Sequence, residues 1–366
     1  MTETRAAAPA MRILIISDGK AGHVSSSKGM AQLIAQKIAS ETHILDVGLR
    51  AKILRPVLRF LINSGGACRL SGLFGEAWIK LFYRGYRPMR ADVVISAGGD
   101  TLYLNAYAGR CLDIPNFFCG SMRGVHPSLF RLIVHTRRAS LPNWRAMAVL
   151  PIALDLEKAN QAAAEFSSGR LAGKRKNLWA LMIGGKGNGY GFSDTHMVAM
   201  LEQCASLASQ HGKTLLLTTS RRTGQSAETA LAAWLAKHPE APITYAVLYG
   251  QRPEKIAGAF MRLAEVIFCS EESTSMISES VFCGRPVVTL APTSSRPVQD
   301  QQDFLAELEE RRHIQRTQIG RFDKDAFEDF LKNWRPYGGE EHRELQAMML
   351  AELPGRSGIA PSDSQG

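Results

Sequence analysis

The chain has 366 residues, 45% hydrophobic and 21% charged, with 44 Lys plus Arg against 34 Asp plus Glu. This composition excludes disorder across the body of the chain, and the length predicts two domains of about 100–200 residues each. The excess, 44 − 34 = +10, makes the chain basic, with a pI near 9.4. No apolar run approaches the ~20 residues that a membrane-spanning helix needs. Met1 to Ala10 lacks the apolar core of a secretory signal, and strand-like residues begin only at Met11. Cys68, Cys111, Cys119, Cys204, Cys269 and Cys283 stand far apart with no CxxC pair. That spacing predicts reduced thiols, not disulfides or structural zinc, and hence a soluble intracellular protein.

Short β-rich runs alternate with longer helical stretches. Met11–Ser17 reads as a buried strand, followed by a glycine-containing loop and a helix from about Ser26 to Ser40. Thr42–Val47 and Ala91–Ser96 are further strands, the second ending at Gly98-Gly99-Asp100 before a helical Thr101–Gly109. Strands near Asn116–Cys119 and Leu132–His135 complete the first half. Residues 155–177, polar and rich in Ala, Gly and Lys, suit a linker or an exposed helix. The pattern restarts with a strand at Leu178–Ile183, a glycine-rich loop, a helix at Asp194–Gln210 and a strand at Thr214–Thr218. Strands near Ile243–Leu248, Glu265–Cys269 and Pro286–Leu290 follow, and Lys324–Leu350 is helical. Strand–loop–helix repetition predicts an α/β protein with parallel sheets covered on both faces. Two such halves predict twin doubly wound domains with ligands at the C-terminal strand edges, in the cleft between them. The expected divisions are 1–10 disordered, 11–154 the first domain, 155–177 a linker, 178–323 the second domain, 324–353 helices crossing back, and 354–366 a disordered tail.

Four strand-end loops carry candidate chemistry. In Ser17-Asp18-Gly19-Lys20-Ala21-Gly22-His23, glycines let backbone amides approach a ligand, and Asp18 or His23 is placed to deprotonate a hydroxyl. A tight turn with a solvated histidine would look the same. Gly184 to Gly191 is neither a P-loop nor GxGxxG, yet Gly185, Lys186, Gly187 and Asn188 form a turn suited to a diphosphate. Arg221 and Arg222, at the end of the next strand, offer charge-assisted contacts to phosphate oxygens. Ser273, Thr274 and Ser275 crowd the start of a helix that stops at Gly284, and Glu279 within it could accept hydrogen bonds from sugar hydroxyls. The acidic residues of this stretch, Glu271 and Glu272, read individually as solvated charges.

Two further features stand apart. Gly98-Gly99-Asp100 is similar to the GGD turn of NAD kinases and lipid kinases, although Thr101 replaces the glycine that follows the aspartate there. Residues 51–90 mix Leu54, Val57, Phe60, Trp78, Leu81 and Phe82 with eight Lys and Arg, and Glu76 is the one acid. Such a basic amphipathic segment can lie on an anionic lipid surface or join two helices to the core. No recognised motif accompanies the charge, which argues against nucleic acid.

Taken in order, SDGKAGH (17–23), IGGKGNGYGFS (183–193), TSRRTG (219–224) and EESTSMISES with GRPV (271–280, 284–287) resemble the elongated-mitochondria, or mitochondrial fission, family over residues 11–330. Gly224 stands where that family has proline after SRRT. The family is similar to GT-B glycosyltransferases, so the resemblance implies two Rossmann-like domains facing a cleft. The C-terminal half would bind a nucleotide-diphosphate sugar through residues 185–188, Arg221, Arg222, Ser273, Thr274, Ser275 and Glu279. The N-terminal half would bind a lipid-linked glycan or lipopolysaccharide-core acceptor beside Lys20, Gly22, Gly99 and Asp100, with Asp18 or His23 catalytic. It implies no metal and no cofactor beyond the nucleotide sugar, and a cytoplasmic protein held peripherally on the anionic inner membrane. The rival expectations are a catalytically silent membrane-surface interaction protein and a kinase acting through Asp100.

Overall fold

The computed structural model describes residues 10–171 and 177–353, in two compact units: Met1–Ala153 with Glu340–Gly366, and Leu154–Gly339. Residues 1–9 and 354–366, expected to be disordered, and 172–176 of the expected linker lie outside the described residues.

The first unit opens with β1 (Met11–Ser17), α1 (Ala21–Ala35), β2 (Ser40–Asp46) and β3 (Gly48–Leu49). Three helices follow, α2 (Arg55–Ser64), α3 (Gly66–Phe74) and α4 (Ile79–Phe82), and then β4 (Tyr83–Arg84), β5 (Val93–Ala97) and α5 (Leu102–Cys111). β6 (Asn116–Cys119), β7 (Leu132–His135) and β8 (Trp144–Ala146) complete it. The sheet is wholly parallel in the order β2-β1-β5-β6-β7-β8, while β3 and β4 form a separate antiparallel ribbon. Ile13–Ile16 and Val93–Ile95 are buried on both faces, which is why the central strands read as unbroken apolar runs. α1 begins five residues before the expected Ser26, so the SDGKAGH loop is shorter than its sequence suggests.

The cysteine expectation needs correction. Cys68 on α3 and Cys111 on α5 are joined as a disulfide, while Cys119, Cys204, Cys269 and Cys283 are buried thiols. α3 packs against α5, and a 43-residue separation in sequence carries no sign of that adjacency. Arg110, one residue earlier, donates from Nη1 to the carbonyls of Ile62 (3.0 Å) and Asn63 (2.8 Å), capping the end of α2.

The second unit begins with α6 (Leu156–Gly169), where the sequence suits a linker or an exposed helix. Asp155 caps this helix, accepting from the amides of Glu157 and Lys158, and Ala159, Ala163 and Phe166 turn inward. Phe166 meets Phe260 edge-on with ring centroids 5.4 Å apart, which makes α6 an element of the unit. The remainder is β9 (Leu178–Ile183), α7 (Asp194–Gln210), β10 (Thr214–Thr219), α8 (Gln225–Lys237), β11 (Ile243–Val247) and α9 (Ala257–Leu263). Then come β12 (Ile267–Ser270), α10 (Thr274–Phe282), β13 (Val287–Ala291), α11 (Gln299–Glu310), β14 (Ile314–Gln318) and α12 (Lys324–Asn333). Its sheet is again parallel, in the order β11-β10-β9-β12-β13-β14. The chain order reverses between β9 and β12, the switch point at which such sheets bind ligands.

The expected helical stretch 324–350 is interrupted around Pro336. Its second part, α13 (Glu340–Ala351), belongs to the first unit: Glu341 accepts from the amides of Ala148 (2.9 Å) and Val149 (3.2 Å). Among the described residues no helix is long and apolar enough to cross a membrane.

Candidate active site

In the first unit the chemistry gathers where β1 and β5 end. Asp18 leaves β1 with its side chain only 5% exposed, and His23 Nδ1 lies 3.0 and 2.9 Å from its two carboxylate oxygens. Burial alone would raise the Asp18 pKa, but hydrogen bonds from His23 and Lys20 outweigh it and bring it down to about 2. A carboxylate so acidic is a poor base at neutral pH. It fixes instead the tautomer with the proton on Nδ1, leaving the Nε2 lone pair of His23 to accept.

Two glycines make room for His23 and for Arg123. At Gly98 (φ +87°) a Cβ would stand 2.1 Å from the His23 ring, and at Gly99 it would stand 2.1 Å from Nε of Arg123. Asp100, next in sequence, accepts from Arg55 Nε (3.1 Å) and Nη2 (2.5 Å) through one oxygen and from Lys20 Nζ (3.5 Å) through the other. Burial opposes ionisation of Asp100, and Arg55 and Lys20 outweigh it, so its pKa is lowered. Lys20 also reaches Asp18 (2.7 Å), tying the two acids together. The structure thus brings Asp18, Lys20, His23, Gly99 and Asp100 into one cluster, with Gly22 in the first turn of α1. No motif in the sequence marks Arg55, Arg59 or Arg123; the first two belong to the basic stretch 51–90.

In the second unit the glycine-rich loop is held down by buried carboxylates. Gly184 N donates to Ser270 Oγ (2.7 Å), and Gly185 N donates to Glu272 Oε1 (2.7 Å). A Cβ at Gly185 would stand 1.9 Å from the Arg222 carbonyl oxygen, so this loop needs glycine to pack against its own neighbours. The Gly185 amide is therefore already engaged. Asn188, at φ +48°, reaches Glu272 O (2.9 Å), Thr274 Oγ1 (3.2 Å) and Gln301 Oε1 (3.0 Å) with its side-chain amide. Arg222 Nη2 meets Ser273 Oγ (2.9 Å) and Glu272 (3.3 Å), while Lys186 and Arg221 are exposed.

Glu271 and Glu272 overturn the expectation of solvated charges: they are 2% and 0% exposed. Burial raises the Glu272 pKa, against the pull of Gly185 and Arg222. Glu271 is held by Arg316 (Nη2 2.6 Å, Nε 3.0 Å) and by Tyr190 Oη (2.9 Å). Burial and the charge of Glu271 push the Tyr190 hydroxyl well up, so it stays a donor. Tyr190, Glu271 and Arg316, with Pro292, Thr293 and Thr317, line a cavity of about 270 Å³. The signal available in the sequence was the Glu-Glu pair following an apolar strand end.

Helix capping shows which helix ends stay open to a ligand. α7, directly after the glycine-rich loop, is closed by its own capping box: Ser193 Oγ accepts from His196 N, and the His196 ring accepts from Ser193 N. α10 has no side-chain cap; Ser273, Thr274 and Ser275 stand at its start beside Arg222, with Glu279 half-buried further along. An uncapped helix start beside an arginine suits a phosphate group. Among the described residues no group of three His, Cys, Asp or Glu could hold a metal ion.

A family profile described as mitochondrial fission ELM1 matches residues 21–335. The chain belongs to the mitochondrial fission ELM1 family. No curated protein matches the sequence. Among solved structures, a putative UDP-N-acetylglucosamine 2-epimerase from Listeria monocytogenes is similar at 11% identity, over 92% of this chain and 91% of that one, with a TM-score of 0.54. The UDP-GlcNAc 2-epimerase of Methanocaldococcus jannaschii, solved with UDP-GlcNAc and UDP, is 10% identical over 93% and 100%, with a TM-score of 0.51. A spinosyn forosaminyltransferase is 12% identical over 94% and 96%, with a TM-score of 0.50. This member of the ELM1 family accordingly has the two-domain, Rossmann-like GT-B fold.

Proposed function

We propose that the protein is a glycosyltransferase, its second unit binding a nucleotide-diphosphate sugar and its first a lipid-linked glycan or lipopolysaccharide-core acceptor. The observation that carries this is the Asp18–His23 pair, which leaves an imidazole Nε2 lone pair at a strand-end edge. In the reaction Nε2 takes the proton of the acceptor hydroxyl as its oxygen bonds to the anomeric carbon. The bond from that carbon to the diphosphate breaks, and its electron pair leaves on the diphosphate oxygen. Arg222 and the start of α10 would stabilise that charge, Lys186 and Arg221 would add to it, and Glu279 would hold the ribose. The scheme calls for no metal and no further cofactor. The kinase alternative is weakened because both Asp100 oxygens already face cations.

The location we favour is the cytoplasmic face of an anionic membrane. Ile53 (83% exposed), Phe60 (70%) and Leu73 (76%), with Phe74 and Leu81, stand uncovered on the segment that carries Lys52, Arg69, Lys80 and Arg84. Each such cation near an anionic surface contributes about 1 kcal/mol.

A thermal-shift screen with UDP-, GDP-, ADP- and CMP-sugars, and ATP–magnesium as control, tests the transferase. A donor at ~100 times its dissociation constant adds about 2.7 kcal/mol of stability. A selective rise that vanishes in Glu279→Ala is expected. Silence towards every nucleotide sugar would leave the interaction protein, and a response to ATP–magnesium alone would leave the kinase. Conversion of the sugar nucleotide in the absence of any acceptor would point to an epimerase.

A further inference from the structure

Beside His23 the first unit carries more positive charge than it neutralises. Arg55 and Arg59 lie one turn apart on α2, on the same helical face. Arg55 is bound to Asp100; the Arg59 guanidinium lies over Gly124, where a Cβ would stand 3.0 Å from Nη1; Arg123 lies over Gly99. Tyr103, at the head of α5, sits in the field of all three arginines. Lys20, Arg55, Arg59 and Arg123 face two carboxylates, Asp18 and Asp100, which leaves 4 − 2 = +2 charges before His23 is counted. Among the described residues Arg59 and Arg123 are exposed and no ion pair involves either. Guanidinium groups gathered without enough counter-charge repel one another; the Arg55 fork is already on Asp100, and those of Arg59 and Arg123 present parallel N–H donors of the spacing that phosphate oxygens accept.

We infer that Arg55, Arg59 and Arg123, with Lys20 at the edge, bind a phosphate or diphosphate group carried by the acceptor. The inference rests on the transferase reading of the first unit and names the class of acceptor: a phosphorylated one. Its phosphate lies against Arg123, whose guanidinium covers Gly99, and the neighbouring residue, Gly98, seats His23, so gripping the anion sets a nearby acceptor hydroxyl against Nε2. A phosphomonoester carries about −1.5 to −2 charges at neutral pH, matching the excess. α2 also presents Val57 and Phe60 uncovered, a short way from Arg59, which suits a phosphate attached to an apolar chain. Two sources of the anion are therefore distinguished in the test, a prenyl diphosphate and a sugar phosphate.

The experiment titrates the full chain with inorganic pyrophosphate and follows the His23 Cε1–H signal by NMR, assigned with His23→Gln. The expected result is a saturable shift that weakens at least tenfold in Arg59→Gln/Arg123→Gln, while the nucleotide-sugar thermal shift of that variant stays at the wild-type value. The inference is overturned if the His23 signal is unmoved at about 10 mM pyrophosphate, or if the double variant binds as wild type does. Tighter binding of geranyl diphosphate than of pyrophosphate assigns the phosphate to a lipid carrier. Tighter binding of a hexose phosphate assigns it to a soluble or core saccharide. A His23 response without any nucleotide-sugar response sinks the transferase and keeps the anion site, so the two failures are separable.

Discussion

Each unit is built on its own six-stranded parallel sheet, and the two use their charged residues in opposite ways. In the second, Glu271 and Glu272 are sealed at the strand edge, where they fasten the glycine-rich loop, Arg222 and Arg316. In the first, Asp18 and Asp100 share Lys20 at the strand edge, and the imidazole that Asp18 orients remains over a third exposed. Buried, paired carboxylates hold a loop in place; a partly exposed imidazole stays open to exchange protons and meet a ligand. Under the proposed function, the contrast fits donor binding in the second unit and proton transfer in the first.

The largest expected effect breaks the proton-transfer side. His23→Ala should lower kcat by about 10²–10⁴-fold, with donor-induced thermal shift unchanged, in a transfer assay with radiolabelled sugar. Asp18→Asn should fall less, because the imidazole remains but loses the partner that holds its tautomer. Equal loss of donor binding in His23→Ala would contradict the division of labour between the units.

The rigid side is tested through Glu272. Glu272→Ala removes the acceptor of the Gly185 amide and the buried partner of Arg222, at a cost of about 3–4 kcal/mol in urea unfolding. Glu272→Gln keeps an acceptor of the same shape without burying a charge, so its cost should be near 1 kcal/mol. If the two variants are equally unstable, the charge and not the hydrogen bond anchors the loop.

The central strands were legible because residues buried on both sheet faces form unbroken apolar runs; Leu178–Ile183 and Asn116–Cys119 fall where the sequence places them. β14, with the sequence IQRTQ and only Ile314 buried, is an edge strand whose polar face hides the period. The candidate loops were legible through glycine at strand ends, and Asp18, His23, Arg222 and Ser273 stand in them. Tertiary adjacency was not legible. Arg123 meets Gly99, Arg316 meets Glu271 and Cys68 meets Cys111 only because the fold brings distant segments together. Nor did sequence show that Gly184 and Gly185 yield space to Glu272 and Arg222, since a glycine needed for packing looks like one needed for a ligand.

The next effect belongs to the first unit. His342 on α13 is 7% exposed, and burial lowers its pKa from 6.5 to about 4. Between those values the unfolded chain binds a proton that the folded chain refuses. Stability from this group is therefore full above pH 6.5 and is lost as the pH falls towards 4, by roughly 2–3 kcal/mol. Hydrogen exchange at pH 7 and 4.5 should show that loss in the amides of residues 10–153 and 340–353, and His342→Gln should flatten it. Equal weakening of the second unit's amides would place the titrating group elsewhere.

The smallest effect sharpens the contrast within the second unit itself. Two helices there start near the candidate diphosphate residues: α7 carries its own cap, and α10 does not. Ser193→Ala opens α7, leaving the amide of His196 without its acceptor, and should lower stability by about 1 kcal/mol. With the His196 amide already held by Ser193, this helix start offers a phosphate less than the uncapped start of α10 does, so donor affinity should stay unchanged. Ser273→Ala should do the reverse, with little effect on stability, since Ser273 makes no cap, and weaker nucleotide-sugar binding, since its hydroxyl and its Arg222 contact face the open start of α10. If instead Ser193→Ala alters donor affinity and Ser273→Ala does not, the diphosphate sits on the helix that follows the glycine-rich loop, and the open end of α10 is only a structural feature of the switch point.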